Sequence, residues 1–254
     1  MSLRSFVELL SYLNFGATVF LLVQLVARRT FREYPFFFTY WLADVAEIIG
    51  AFGMPRTVAY TYFYAGSKIL KTVLAGLVVI ELYRVGLEGR PALAKFGQQA
   101  AGYVLLIAAV AAALGIYFGP APASDRLLVV HQVLSFERTL DSAMVVFLLA
   151  LGLFLSWFPM RIRRNVAIYI GGFAAYFLAK LAATLAANTW YPLTRVFNVA
   201  DLAFTLLCLL AWIFLMKREG ETEQVMTGRP WNPEEMGRLT GKLDALNARL
   251  MRIP

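Results

Sequence analysis

Seven apolar runs, each long enough to cross a lipid bilayer as a helix, follow one another along this chain with only short polar breaks between them. Crossing the hydrocarbon core takes about 20 helical residues, and inside it backbone polar groups must be satisfied within the protein. The runs fall at roughly 6–27, 36–53, 58–82, 99–118, 133–158, 166–187 and 194–216. This spacing predicts an all-α polytopic membrane protein with seven transmembrane helices, the fifth of which can begin as early as Arg126. Of the 254 residues 60% are hydrophobic and only 16% charged, against about 25% charged in soluble domains. Pro35, Pro55, Pro91, Pro120, Pro122, Pro159 and Pro192 lie between the runs, where a proline breaks no helix. The first run is too long for a signal-peptide core. It meets Arg28 and Arg29 without a small-residue cleavage site, so it reads as a retained span.

Orientation follows from the basic residues. The first, third and fifth loops each hold three: Arg28, Arg29 and Arg32; Arg84, Arg90 and Lys95; Arg161, Arg163 and Arg164. The second, fourth and sixth hold one each, Arg56, Arg126 and Arg195, while the tail carries seven more. The positive-inside rule then places the N-terminus outside and the odd loops and C-terminus in the cytoplasm. This distribution explains the net charge of +8 without a basic groove for nucleic acid. One cysteine, Cys208, and one histidine, His131, leave no internal disulfide and no multi-histidine metal or haem site. No cofactor and no metal is expected. The chain divides into a seven-helix membrane domain over 1–218, a polar linker over 219–231 and a tail helix over 232–254.

Charges inside the spans are the informative residues, because one at mid-bilayer costs about 2.5–3.5 kcal/mol even on a lenient insertion scale. Asp44 and Glu47 are three residues apart on one face of the second helix, as are Lys68 and Lys71 on the third. Counting from the turn between these antiparallel helices sets Asp44 level with Lys71 and Glu47 with Lys68. These four read as structural ion pairs. A second group lies in the outer half: Lys180 on the sixth helix at the depth of Asp201 on the seventh, with Asp141, Glu137 and Arg138 on the fifth. Asn198 shares a face with Asp201, and Tyr176 with Lys180. With one more acid than base at membrane depth, Asp141, Lys180, Asp201, Asn198, Tyr176, Glu137 and Arg138 read as ligand-binding candidates. Glu81 and Arg84, three apart, are expected to pair locally.

In the tail, Asn232, Pro233, Glu234 and Glu235 form a helix start with a cap, a first-turn proline and acids at the positive end. Met236, Leu239, Leu243, Leu246, Leu250 and Ile253 follow in a heptad seam. At about two and a half heptads the helix is too short to stand alone. It is expected to lie on its own protein, on a membrane or cytoplasmic partner, or on a second copy.

Three segments carry a resemblance: the run from Arg32 through Tyr34, Pro35 and Phe36 to Tyr40; Glu81-Leu82-Tyr83-Arg84; and Arg163-Arg164-Asn165-Val166. Together they resemble an uncharacterised group of bacterial seven-span proteins of similar length. The resemblance implies a multi-pass protein of the bacterial cytoplasmic membrane and assigns no activity and no functional residue. The expected role is non-enzymatic and receptor-like or accessory, with a polar intramembrane cluster and a partner-binding tail. The alternatives are a small-solute or proton-coupled transporter, or a structural subunit using the small residues Ala108, Ala111, Ala112, Gly115 and Gly119 of the fourth helix.

Overall fold

The computed structural model describes residues 3–55, 57–118, 125–158, 160–189, 194–227 and 232–251. Among these, α1 (Leu3–Ala27), α2 (Pro35–Gly53), α3 (Val58–Gly86), α4 (Pro91–Phe118), α5 (Asp125–Trp157), α6 (Arg164–Thr189) and α7 (Thr194–Leu215) form the bundle, and α8 (Pro233–Leu250) follows. Six of them, α1, α2, α4, α5, α6 and α7, combine the length and hydropathy needed to cross a membrane. This makes the chain an all-α protein of multi-pass membrane type. The helix without that hydropathy is α3. It is 29 residues long but carries Lys68, Lys71, Glu81 and Arg84.

The bundle is a ring with an attachment. α1, α2, α3, α5, α6 and α7 pack in that order around a common centre, α7 closing back on α1, while α4 lies outside against α3 and α5. α3 also reaches α6, which makes it the innermost helix. Its second half is correspondingly buried, from Thr72 and Leu74 through Val78, Val79 and Leu82 to Gly86. Lys68, Lys71 and Glu81 of α3 face protein, and Arg84 near its end is exposed, while Val23, Phe52, Leu106, Leu153 and Phe214 are exposed on the bundle's outer surface.

At the end of the bundle where α2 begins, the connections are short and tied together. Arg29 takes a left-handed conformation, φ 61°, that reverses the chain into a 3₁₀ turn at Thr30–Arg32. Pro35 then opens α2 at a first-turn position, where its missing N–H is no loss. Arg28 of the same reversal donates to the Met216 carbonyl at the end of α7. α3 runs on to Gly86 and α4 begins at Pro91, so the stretch 83–98 between the third and fourth apolar runs is mostly helix.

The stretch 219–231, expected to be a polar linker, carries local structure over its described part. It forms a 3₁₀ turn at Arg218–Glu221 and a strand, β2 (Gln224–Thr227). β2 pairs antiparallel with β1 (Met160–Arg163), between α5 and α6, with Met160 opposite Thr227 and Arg163 opposite Gln224. Gly220 lets the turn close: a Cβ there would stand 2.2 Å from the Asn165 side-chain oxygen. That fully buried amide donates to the Lys217 carbonyl (2.7 Å) and accepts from the Lys217 N–H (3.2 Å).

The tail helix folds back on its own chain. α8 packs on the start of α4, where the Asn247 oxygen accepts the N–H groups of Ala92 (3.1 Å) and Leu93 (3.3 Å). These are two of the donors a helix start leaves unpaired. Asp244 meets Arg90 at 3.1 Å. Of the heptad seam, Leu243 is buried, Leu239 and Leu250 are half-buried and Leu246 is exposed; the Met236 side chain and Ile253 lie outside the described residues. The seam thus docks on α4 through Leu243. Asn232 stands at the cap position but its side chain makes no capping bond.

Candidate functional site

The two charge groups face the same space. A cavity of about 600 Å³ opens inside the ring, lined by Asp44, Lys68 and Lys71 and equally by Glu137, Asp141, Lys180 and Asp201. All six ring helices contribute to its wall; α4 does not. The volume falls within the range usual for small-molecule sites, about 300–1,000 Å³.

On one wall, Lys71 of α3 donates to Asp44 and reaches Glu47 at 3.0 Å, both on α2. Lys68 is held more loosely, 3.8 Å from Glu47 and with its ammonium 5.4 Å from the Tyr64 ring centre. On the facing wall, Lys180 of α6 stands 2.7 Å from Glu137 and 2.9 Å from Asp141, both on α5. Each of two lysines therefore sits between two carboxylates. In a medium of low dielectric such pairs hold helices together only when both signs are present at one height.

Asp201 departs from the expected pairing. It lies at the depth of Lys180, yet the ammonium turns to α5, and no hydrogen-bond or ion-pair partner of Asp201 is found among the described residues. Counting along helices sets a residue's height but not its direction around the axis. Tyr176 lines the cavity with its hydroxyl 3.1 Å from that of Tyr40. Arg138 and Asn198 do not line it; both side chains are exposed.

The remaining wall comes from α1. Glu8, Ser11, Asn14 and Thr18 all line the cavity, at spacings of three, three and four. That polar stripe on an otherwise apolar helix was legible in the sequence, though none of the four was among the expected site residues. Asn14 is 8% exposed and anchors the wall: its amide donates to the Leu10 carbonyl (2.9 Å) and across to the Leu202 carbonyl of α7 (3.0 Å).

A layer of aromatic side chains closes the cavity on the side of the tied end. Tyr40, Trp41 and Tyr176 line it, and Phe37, Tyr169, Phe173 and Trp212 pack behind them. Ring centres lie 4.9 Å apart for Phe37 and Tyr169, 5.3 Å for Phe37 and Trp212, and 5.7 Å for Trp41 and Trp212. Most of these contacts are edge-to-face, the arrangement aromatic quadrupoles favour. Trp212 fits because residue 172 is glycine; a Cβ there would come within 2.4 Å of the indole nitrogen.

Behind this layer a second polar group secures the tied end. The Glu81 carboxylate accepts the N–H groups of Phe36 (3.3 Å) and Phe37 (3.2 Å), in the first turn of α2, and the Tyr169 hydroxyl (2.9 Å). Arg84 is more distant, at 3.6 Å. The expected local pair is thus secondary to a carboxylate that caps a neighbouring helix and meets its positive end. Nearby, Glu221 accepts the Tyr34 hydroxyl (3.0 Å) and pairs with Arg163 (3.0 Å), which also reaches Glu33 (3.2 Å) and Glu88 (2.9 Å). Burial and then the Glu221 charge push the Tyr34 phenol up, so it remains the donor. The three segments on which the resemblance rests converge here, through Glu33, Tyr34, Glu81, Arg84, Arg163 and Asn165.

The fold and site together define a helical membrane-type bundle built around a charged, ligand-sized cavity. No protein family matches the chain, and comparison with curated proteins and with solved structures finds no match. The function is therefore argued from the cavity itself.

Proposed function

We propose that this chain is a seven-span protein of the bacterial cytoplasmic membrane, α3 being the seventh span, that binds a small polar solute in the ring cavity in a receptor-like, non-enzymatic role. The carrying observation is that both buried charge groups line one cavity of about 600 Å³. Pairs that served only to staple helices would be packed shut. Here Asp201 and the loosely held Lys68 border open volume instead.

The basic residues of the first, third and fifth connections lie at the tied end, which the positive-inside rule assigns to the cytoplasm. The cavity lies nearer the opposite end, among residues from the start of α1 (Val7, Glu8) and the end of α2 (Phe52), and so receives its solute from outside. The charges on α3 are compatible with a span because Lys68 and Lys71 meet Asp44 and Glu47, Glu81 meets Tyr169 and the start of α2, and Arg84 is exposed near the cytoplasmic end. A partner taken through α8 would use Leu246 and Met251, which stay exposed beside the docked Leu243.

Cysteine labelling tests this reading, because the native Cys208 is buried. Ser11→Cys should react with a membrane-impermeant maleimide added outside intact cells and stay unreactive in inverted vesicles. Reaction only in inverted vesicles, or none in either, would overturn it. Transport is the second reading, favoured by the aromatic layer, which separates the cavity from the cytoplasmic end as a gate would. It requires solute uptake into proteoliposomes that falls on Asp201→Asn; unchanged flux removes it.

A further inference from the structure

A ligand in the cavity must complement what the cavity's own groups leave unsatisfied. The cavity is lined by the carboxylates of Glu8, Asp44, Glu137, Asp141 and Asp201 and by three ammoniums, Lys68, Lys71 and Lys180, with Glu47 outside the lining and paired to Lys71. Lys71 and Lys180 each already hold two acids. Asp201 is left, on the α7 wall.

The hydrogen-bond inventory of the same corner points the same way. Asn14, 8% exposed, spends its amide N–H₂ group on the Leu10 and Leu202 carbonyls, which fixes the amide's orientation and leaves its buried oxygen without a partner among the described residues. That second bond lands on the residue next to Asp201. Ser11 and Thr18 donate to carbonyls four residues back on α1, Val7 and Asn14, at 2.9 Å each, so only their lone pairs remain to offer. The wall between α1 and α7 therefore presents mainly acceptors: the Asp201 and Glu8 carboxylates and the lone pairs of Ser11 and Thr18, while the Tyr12 and Thr205 hydroxyls can take either role. The complement of such a wall is a group with several N–H donors, no acceptor and a positive charge.

We infer that the cavity takes an organic cation bearing a primary ammonium, bound at the α1–α7 wall with Asp201 as its counter-ion. This rests on the reading of the cavity as a ligand site. A primary ammonium carries three donors and no acceptor, which suits a wall rich in acceptors. It also reduces the surplus of buried negative charge, which a zwitterion or an anion would not.

Three probes of similar size and different charge separate the possibilities: 2-phenylethylamine, 2-phenylethanol and 3-phenylpropanoate. Each is titrated into the purified full chain in lipid nanodiscs and followed by calorimetry and by the rise in Tm. The amine should bind saturably, and the alcohol and the acid at least ten-fold more weakly. Asp201→Asn should weaken the amine at least ten-fold and leave the alcohol unchanged. Asp201→Glu should restore most of the affinity, and Asn198→Ala, outside the cavity, should alter nothing. Equal or tighter binding of the alcohol or the acid overturns the inference while keeping the cavity a ligand site. So does amine binding that ignores Asp201→Asn. If none of the three binds, the inference falls, and the cavity reading is then decided separately by the labelling of Ser11→Cys.

Discussion

Replacing Lys180 by Met removes the ammonium that stands 2.7 Å from Glu137 and 2.9 Å from Asp141, while keeping most of the apolar stem. Two like-charged groups then remain at one height with side-chain exposures of 13% and 7%. Breaking a buried pair by deleting one partner costs about 3–5 kcal/mol. Because both carboxylates border the cavity and keep some hydration, the lower end, about 3 kcal/mol, applies. At about 2–4 °C per kcal/mol for a chain of this size, Tm should fall by about 6–12 °C. Asp141→Asn alone leaves Lys180 paired with Glu137 and should cost only about 1 kcal/mol. In that background Lys180→Met should be milder by at least about 1 kcal/mol, since one acid is already neutral. Thermal unfolding in a single detergent, followed by tryptophan emission, measures the Tm values, and reversible denaturant titration gives the free energies. A Lys180→Met protein within about 0.5 kcal/mol of the parent, or an equal loss in both backgrounds, would refute the electrostatic account of this wall.

The other buried positions give sharper or opposite outcomes. Asp201→Asn removes a charge that has no partner among the described residues, so the ligand-free protein should gain stability, seen as a higher Tm. Glu81→Gln keeps the shape but turns an amide N–H₂ toward two backbone donors at 3.2–3.3 Å, and should cost about 2–3 kcal/mol in a denaturant titration. Gly172→Ala sets a methyl 2.4 Å from the Trp212 nitrogen and should cost about 1–3 kcal/mol, with a shift in tryptophan emission. Gly220→Ala meets the immobile Asn165 amide at 2.2 Å, so the segment 218–227 should detach and be cut faster in limited proteolysis.

The apolar runs were readable because hydrocarbon demands long uninterrupted helices, and six of them stand where the sequence put them. Helix ends were harder. α4 starts at Pro91, among polar residues, because Asn247, over 150 positions away, supplies the cap that makes an early start affordable. The β1–β2 pair escaped notice for a similar reason: each strand is four residues long and its partner lies about 60 residues distant, too little pattern over too great a separation. Within the cavity, the acids and bases were found because charge in lipid is conspicuous. What depth counting missed was rotation about each helix, which gives Lys180 to α5 and leaves Asp201 without a hydrogen-bond or ion-pair partner among the described residues. The α1 stripe of Glu8, Ser11, Asn14 and Thr18 was there to be seen, but three of its four members are uncharged and stand out less against an apolar run.

The ties at one rim of the bundle have a mechanical consequence. Arg28 grips the end of α7, Asn165 holds the following turn, β2 grips the α5–α6 connector, and Glu81 clasps the start of α2. Like a basket woven tight at its base, the bundle keeps a fixed footprint there, and its staves can move only by leaning. Any solute that draws the walls inward must do so as a pivot about this base, so the largest displacements fall at the rim farthest from it.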